Sequence, residues 1–198
     1  MSPRNPERDL LQRTERKKQI IDAAFTMFTK RGIDSCKMSD IAKFAGLSHG
    51  HVYNFFQSKE ELLDTLIHRS QQIYTDMLTN ARTLPGNALD KIRWITEQYL
   101  SDPRSSKAYW VLLQAQASDV LGEDKKQDIH TRMMGNQHLL AKIIEEGQLE
   151  GVIAAGDSHE LALLTVTLLT GVGMWEIRGF AYPSRSAPDY LIKMLSAK

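Results

Sequence analysis

The chain has 198 residues, 42% hydrophobic and 25% charged, with no apolar run long enough to span a bilayer and a single cysteine, Cys36, which excludes an intrachain disulfide framework. Residues 1–19 are too polar for a signal peptide, so a reducing, cytoplasmic setting is expected. The net charge of +1 hides an asymmetry: residues 1–60 hold 11 basic and 7 acidic side chains, residues 61–198 hold 14 and 17.

Met1 to about Arg13 carries Pro3, Pro6 and alternating charge, the composition of an irregular arm. A first helix is predicted from about Thr14 to Arg31, with Ile20, Ile21, Ala24, Phe25 and Phe28 on one face and Gly32 as its stop. Two short helices follow, about Met38–Phe44 and about His49–Phe55. Gly46 supplies the left-handed residue that ends the former, and Ser48 caps the latter. Ser58 with Glu61 three residues on reads as a capping box opening a fourth helix, about Lys59–Ala81 or a little beyond. Leu84-Pro85-Gly86-Asn87 breaks the pattern. Amphipathic helices are then expected over Ala88–Leu100, Lys107–Leu121, about Lys125–Glu150, Ser158 to about Arg178, and a final piece about Pro188–Ala197. Ser158 is the expected cap of the penultimate one. No alternating strand pattern, repeat or low-complexity tract appears, so the fold class is all-α with about nine helices.

Two short helices joined by a tight turn have the layout of a DNA-reading helix-turn-helix. The second is expected to anchor itself by Val52 and Phe56, with Phe55 either packed or presented to a nucleic acid. Its start offers unpaired N–H groups to a phosphate or base edge. His49 and His51 carry ring donors and acceptors, Asn54 has the geometry for an adenine edge, and Gly50 lets the backbone approach closely. Arg4, Arg8 and Arg13 of the arm read either as DNA contacts or as a solvated tail.

The stretch Ile20-Ile21-Asp22-Ala23-Ala24-Phe25-Thr26-Met27-Phe28, then Gly32, Asp40-Ile41-Ala42, Ala45-Gly46-Leu47-Ser48, Gly50, Tyr53, Phe56 and Ser58-Lys59-Glu60-Glu61-Leu62 resembles the N-terminal domain of TetR/AcrR-type transcriptional repressors. The resemblance implies an arm over 1–13, a helix-turn-helix domain over 14–58, and a helical effector-binding and dimerisation body over 59–198. It implies a homodimer that binds a pseudo-palindromic double-stranded operator and is released by a small-molecule effector. By the same resemblance His49, Gly50 and Tyr53 occupy base-contacting positions, and His51, Tyr53 and Lys59 phosphate-contacting ones. Lys37 stands where the family usually has a capping Thr or Ser, and a lysine there replaces a hydroxyl contact by an electrostatic one.

In the body, Trp94, Tyr99, Tyr109, Trp110, Met133, Met134, His138 and Trp175 have the make-up of a ligand lining, and equally of plain core. Gln114, Gln116 and His138 are the polar candidates for orienting a ligand. The helix from Ser158 carries Ala162, Thr165, Thr170, Gly171 and Gly173, small residues that let helices approach. With the last helix it is expected to form the dimer contact, the alternative being the buried centre of a monomer. Phosphate-loop, nucleophile-elbow and zinc motifs are missing, and the six histidines are scattered in sequence, so neither enzyme, metal nor cofactor is expected. His130 and His138 lie eight apart on one helix. Cys36 is considered as a redox sensor. Two readings compete with the ligand-responsive repressor: a regulator that ignores small ligands, and a helical protein-interaction module.

Overall fold

A computed structural model of the chain describes residues 6–180 and 186–197. Its helices are α1 (Pro6–Arg31), α2 (Met38–Phe44), α3 (His49–Tyr53), α4 (Lys59–Thr83), α5 (Ala88–Ser101), α6 (Pro103–Ala117), α7 (Glu123–Leu149), α8 (Ser158–Ile177) and α9 (Ala187–Leu195). Among the described residues the only β pairing is an isolated bridge between Ile153 and Ser196. No helix among them is long and apolar enough to cross a membrane.

Several boundaries differ from expectation. The first helix starts at Pro6, not Thr14, so the arm is helical over its described part. Glu7 and Asp9 in its first turn complement the helix dipole, and Thr14 Oγ1 donates back to Leu10 O at 3.0 Å. Arg4 lies outside the described residues. Helix α3 stops at Tyr53, because the N–H groups of both Phe55 and Phe56 turn onto Val52 O at 3.0 Å. Pro103, which lies between the helices expected over Ala88–Leu100 and Lys107–Leu121, opens α6: its missing N–H costs nothing at the first helical position. The cap of α8 is Asp157 rather than Ser158, since Asp157 Oδ1 accepts the N–H groups of His159 at 2.8 Å and Glu160 at 3.0 Å.

The chain forms two compact units, the first taking in the chain to His68 with Val111–Lys126, the second Arg69–Trp110 with Gln127–Lys198. In the first unit the apolar face of α1 (Ile20, Ala24, Phe28) is fully buried, as are Ile41, Val52, Phe56, Leu62 and Leu63. Burying each large side chain contributes about 1.5–3 kcal/mol, which is what holds helices as short as α2 and α3. Residues from the end of α6 onward are tied into this unit: Ser118 Oγ donates to Asp34 Oδ1 at 2.6 Å, and Lys125 pairs with Asp64 at 3.0 Å.

In the second unit α5 packs on α8 and α9, around Leu78, Ile92, Ile95, Leu140, Ile143, Ile144 and Leu169. Asn87 and Asp90 cap α5 reciprocally, at 3.1 and 3.0 Å. Between α4 and α7 the buried Gln71 donates to Ile129 O at 3.0 Å, and Arg132 Nε donates to its Oε1 at 2.7 Å. Thr75 Oγ1 completes this polar seam by donating to Asn136 Oδ1 at 2.7 Å. Buried amides matched in this way fix the register of two long helices that apolar contacts alone leave free to slide.

Candidate nucleic-acid interface

The turn between α2 and α3 is built from two local devices. Gly46 takes φ +68, and behind it the Gly46 N–H reaches Lys43 O at 3.1 Å while the Leu47 N–H reaches Ala42 O at 2.9 Å. This paired closure of a helix end needs a left-handed residue at that position. Two residues later Ser48 Oγ accepts the His51 N–H at 3.2 Å, a cap that contributes about 1 kcal/mol. At the start of α2 the ammonium of Lys37 has no acceptor to offer. Only Asp40 reaches back, taking the Lys37 N–H at 3.1 Å, so the Lys37 side chain stays exposed with no capping duty.

On α3, Val52 and Phe56 are fully buried and hold the helix down. His49, Gly50, His51, Tyr53 and Asn54 are exposed. His49 and Tyr53, one turn apart, meet edge to face at 4.7 Å between ring centroids. His51 instead faces Phe55 at 5.6 Å, so the two histidines address different sides of the reading helix. Asn54 is the C-cap residue. Nothing stands within 4 Å of where a Cβ on Gly50 would be, and its φ is not positive. The head therefore has no internal need for glycine at this position.

Lys59 opens α4 with its Nζ donating to Asp34 O at 3.3 Å, which sets its ammonium beside the α1–α2 loop. Ser58 caps α4 as expected, accepting the Glu61 N–H at 3.0 Å. Glu61 does not close the box on Ser58, however; its carboxylate takes the Gln57 N–H one residue earlier, at 2.7 Å. Cys36 is 1% exposed and donates to Met27 O at 3.4 Å. Burial pushes its thiol pKa up against the lowering effect of Lys59 and Arg31, which disfavours the thiolate.

Sequence reasoning missed how α1 joins this surface. The Arg13 guanidinium lies over the Phe55 ring at 5.6 Å, and Lys17 Nζ over Phe56 at 5.5 Å. Exposed cation–π pairs of this kind contribute about 0.5–1 kcal/mol each. Phe55 is thus half-buried and in contact with both Arg13 and His51, neither plain core nor presented alone to solvent. The one signal available was spacing: Arg13, Lys17, Ile20, Ala24 and Phe28 recur on one helical stripe.

The candidate effector residues are distributed over both units. Trp94, Tyr109 and Trp110 are half-buried in the second unit, whereas Gln114 belongs to the first, its Oε1 3.3 Å from where a Cβ on Gly32 would sit. Met134 and Trp175 are 44% and 52% exposed, and exposed His138 stacks on His159 at 5.4 Å. Gln116 instead donates to Lys126 O at 3.4 Å. What the second unit does bring together is Tyr74 and Tyr99, edge to face at 6.3 Å, with Ser106 beside the Tyr99 hydroxyl but outside hydrogen-bonding geometry. Burial pushes both tyrosine pKa values up. Tyr74 and Ser106 carry no sequence mark that separates them from other helical residues. Among the described residues no three His, Cys, Asp or Glu side chains are grouped to hold a metal.

Residues 20–66 match the family described as bacterial regulatory proteins, tetR family. Residues 20–66 are thus a TetR-family DNA-binding domain, and the helix-turn-helix is its DNA-binding element. It is 23% identical over 179 residues to the fatty acid metabolism regulator protein of Bacillus subtilis, covering 89% of this chain and 92% of that one. It is 26% identical over 159 residues to the transcriptional repressor KstR2 of Mycolicibacterium smegmatis, covering 76% and 72%. Its fold is similar, with a TM-score of 0.77 at 18% identity, to that of AibR crystallised with isovaleryl coenzyme A and operator DNA, over 91% of this chain and 97% of that one.

Proposed function

We propose that this TetR-family regulator is a cytoplasmic repressor without catalytic activity, which binds a pseudo-palindromic operator as a homodimer and is released by a small-molecule effector. The observation that carries the reading is the α2–turn–α3 head, whose Gly46 and Ser48 devices present an exposed row of His49, Gly50, His51, Tyr53 and Asn54. Residues 14–58 read DNA, and 59–198 bind effector and partner. His49, Gly50, Tyr53 and Asn54 address base edges; His51, Tyr53, Lys59 and Lys37 address phosphates; Ser48 holds the helix that carries them.

Dimerisation runs through α8 and α9. In the single chain Leu163, Leu164 and Leu168 of α8 are 53%, 57% and 41% exposed, and Tyr190 and Met194 of α9 are 67% and 66% exposed. An apolar face of this kind is covered in a stable protein. Trp175 belongs to the same helix and is assigned to the dimer contact. Trp94, Tyr109 and Trp110 remain the lining proposed for the effector, and Met134 and His138 take part only if the dimer covers them; Gln114, in the first unit, is a separate candidate whose buried amide Nε2 has no hydrogen-bond partner. Effector binding shifts the population toward a form in which the two heads no longer match the groove spacing; a coupling of about 1–3 kcal/mol lowers operator affinity five- to 150-fold.

The test is a footprint on the DNA upstream of the protein's own gene, with Tyr53→Ala and Lys59→Ala as controls, followed by an effector screen that begins with isovaleryl coenzyme A. A protected inverted repeat that both variants lose supports the reading. Absence of any protected or selected duplex, including from a random pool, refutes it.

A further inference from the structure

We infer that the N-terminal part of α1 is a second DNA-binding element: Arg13, Lys17 and Arg16 are cations held in place by the reading head to meet backbone phosphates beside those met by α3. This rests on the proposed operator binding and adds to it a contact that lies outside the residues matched by the family, which begin at residue 20.

Three observations place these cations. Arg13 and Lys17 continue, one and two turns outward, the stripe of α1 that Ile20, Ala24 and Phe28 bury in the first unit. Where the core ends, the stripe changes from apolar to basic while keeping its direction. Each of the two cations then lies on a ring just past α3, Arg13 on Phe55 at 5.6 Å and Lys17 on Phe56 at 5.5 Å. Arg16 is held differently: its Nη1 donates to Gln19 Oε1 at 2.8 Å, and Gln19 Nε2 donates to the Ala45 carbonyl at 2.7 Å, at the end of α2. All three basic side chains are exposed.

The concavity between this part of α1 and α3 is bordered by Arg13, Arg16, Lys18, His51 and Phe55, and also by Asp9, Glu15 and Asp22. Glu15 and Asp22 stand about 200° and 180° round the helix from Arg13, so Asp9 is the one acid that shares the stripe with the three cations. A guanidinium resting on a ring and a second one fixed through an amide have lost much of their rotamer freedom before any partner arrives. Such pre-ordering suits a fixed array of phosphates. His51, already assigned to a phosphate, also lies against the Phe55 ring, which makes the surface continuous from α3 to the arm.

The experiment uses the full-length protein, the duplex it selects from a random pool, and a scrambled duplex of equal length. Affinity is measured against salt for wild type, Arg13→Gln and Lys17→Gln, with melting temperature and helicity as folding controls. A phosphate contact is blind to sequence, so each variant is expected to weaken binding to both duplexes by the same factor. Each is also expected to lower the slope of log affinity against log salt by about 2, for two symmetry-related contacts. Phe55→Leu, which removes the ring and keeps the bulk, is expected to shrink the effect of Arg13→Gln made in its background. An unchanged salt slope in folded Arg13→Gln and Lys17→Gln overturns the inference, and so does a loss confined to the selected duplex, which marks a base contact or a displaced head. Failure of wild type to bind any duplex removes the operator reading itself, an outcome distinct from wild type binding with unaffected variants.

Discussion

Gly46 and Gly50 lie four residues apart on the reading head, and replacing each by alanine separates folding from DNA approach. Gly46 holds φ +68 with nothing within 4 Å of an added Cβ, so the cost of Gly46→Ala is entirely backbone. An L side chain in the left-handed region costs roughly 1–2 kcal/mol. The smaller freedom of unfolded alanine offsets about 0.4–1 kcal/mol of that, leaving a net loss of about 1 kcal/mol. Gly50 lies inside α3, is equally open, and has no positive φ. There alanine gains about 0.5–1 kcal/mol of helix stability. The two variants are expected to differ by about 2 kcal/mol, or roughly 4–8 °C in melting temperature for a chain of this size. DNA affinity reverses the order: Gly50→Ala, the more stable protein, loses at least tenfold because its methyl stands where the backbone meets the duplex. Gly46→Ala, still folded at 25 °C, loses less. Thermal melts followed by circular dichroism and a fluorescence-anisotropy titration measure both. A Gly50→Ala protein that melts below Gly46→Ala, or that binds DNA as wild type does, refutes the reasoning.

Both units offer further tests. A Cβ on Gly173 would collide with Oγ and Cβ of Ser106, while the Ser106 Cα stands 3.5 Å away. Gly173→Ala is therefore expected to lower stability by about 1–3 kcal/mol, and Ser106→Gly to recover part of it in the double variant, as denaturant melts will show. The Tyr99 hydroxyl is buried with no hydrogen-bond partner, so Tyr99→Phe is expected to leave stability unchanged or raise it by about 1 kcal/mol. Because burial raises the pKa of Tyr74 and Tyr99 above the ordinary 10.0, the folded state keeps protons that the unfolded chain gives up. That contribution is complete below pH 10 and declines as pH rises further, and Tyr99→Phe is expected to flatten the decline in a pH series of melts. Ser118→Ala deletes both the 2.6 Å bond to Asp34 and the acceptor for the Val120 N–H at 3.1 Å. A loss of about 1–2 kcal/mol is expected in the same melts.

What the sequence made legible was set by how local the cause was. The α2–turn–α3 head was readable because each of its devices is a residue acting on its own backbone: Gly46 through φ, Ser48 through one hydroxyl, Val52 and Phe56 through a single turn of spacing. Boundaries failed where one residue type serves two purposes. Pro103 ends a pattern when read backward and opens a helix when read forward, and Asp157 next to Ser158 offers two caps of which only one faces the N–H groups. The exposure of the effector candidates was illegible for another reason. Nothing in the residue types distinguishes Trp94, which is half-buried, from Trp175, which is 52% exposed, because burial depends on which helices meet.

The arm is the instructive case. Its core-facing stripe was present in the sequence, but at Arg13 and Lys17 the stripe is occupied by cations, and a search for apolar periodicity stops at Ile20. The helix continues because no residue from Glu7 to Lys17 breaks it, and it stays aligned with the head because Phe55 and Phe56 give the cations a surface to rest on. The same substitution that hid the helix from a hydrophobic reading turns its inner face toward a polyanion. In a DNA-binding head, a stripe that changes from apolar to basic without changing direction therefore marks the edge of the core and the beginning of the interface together.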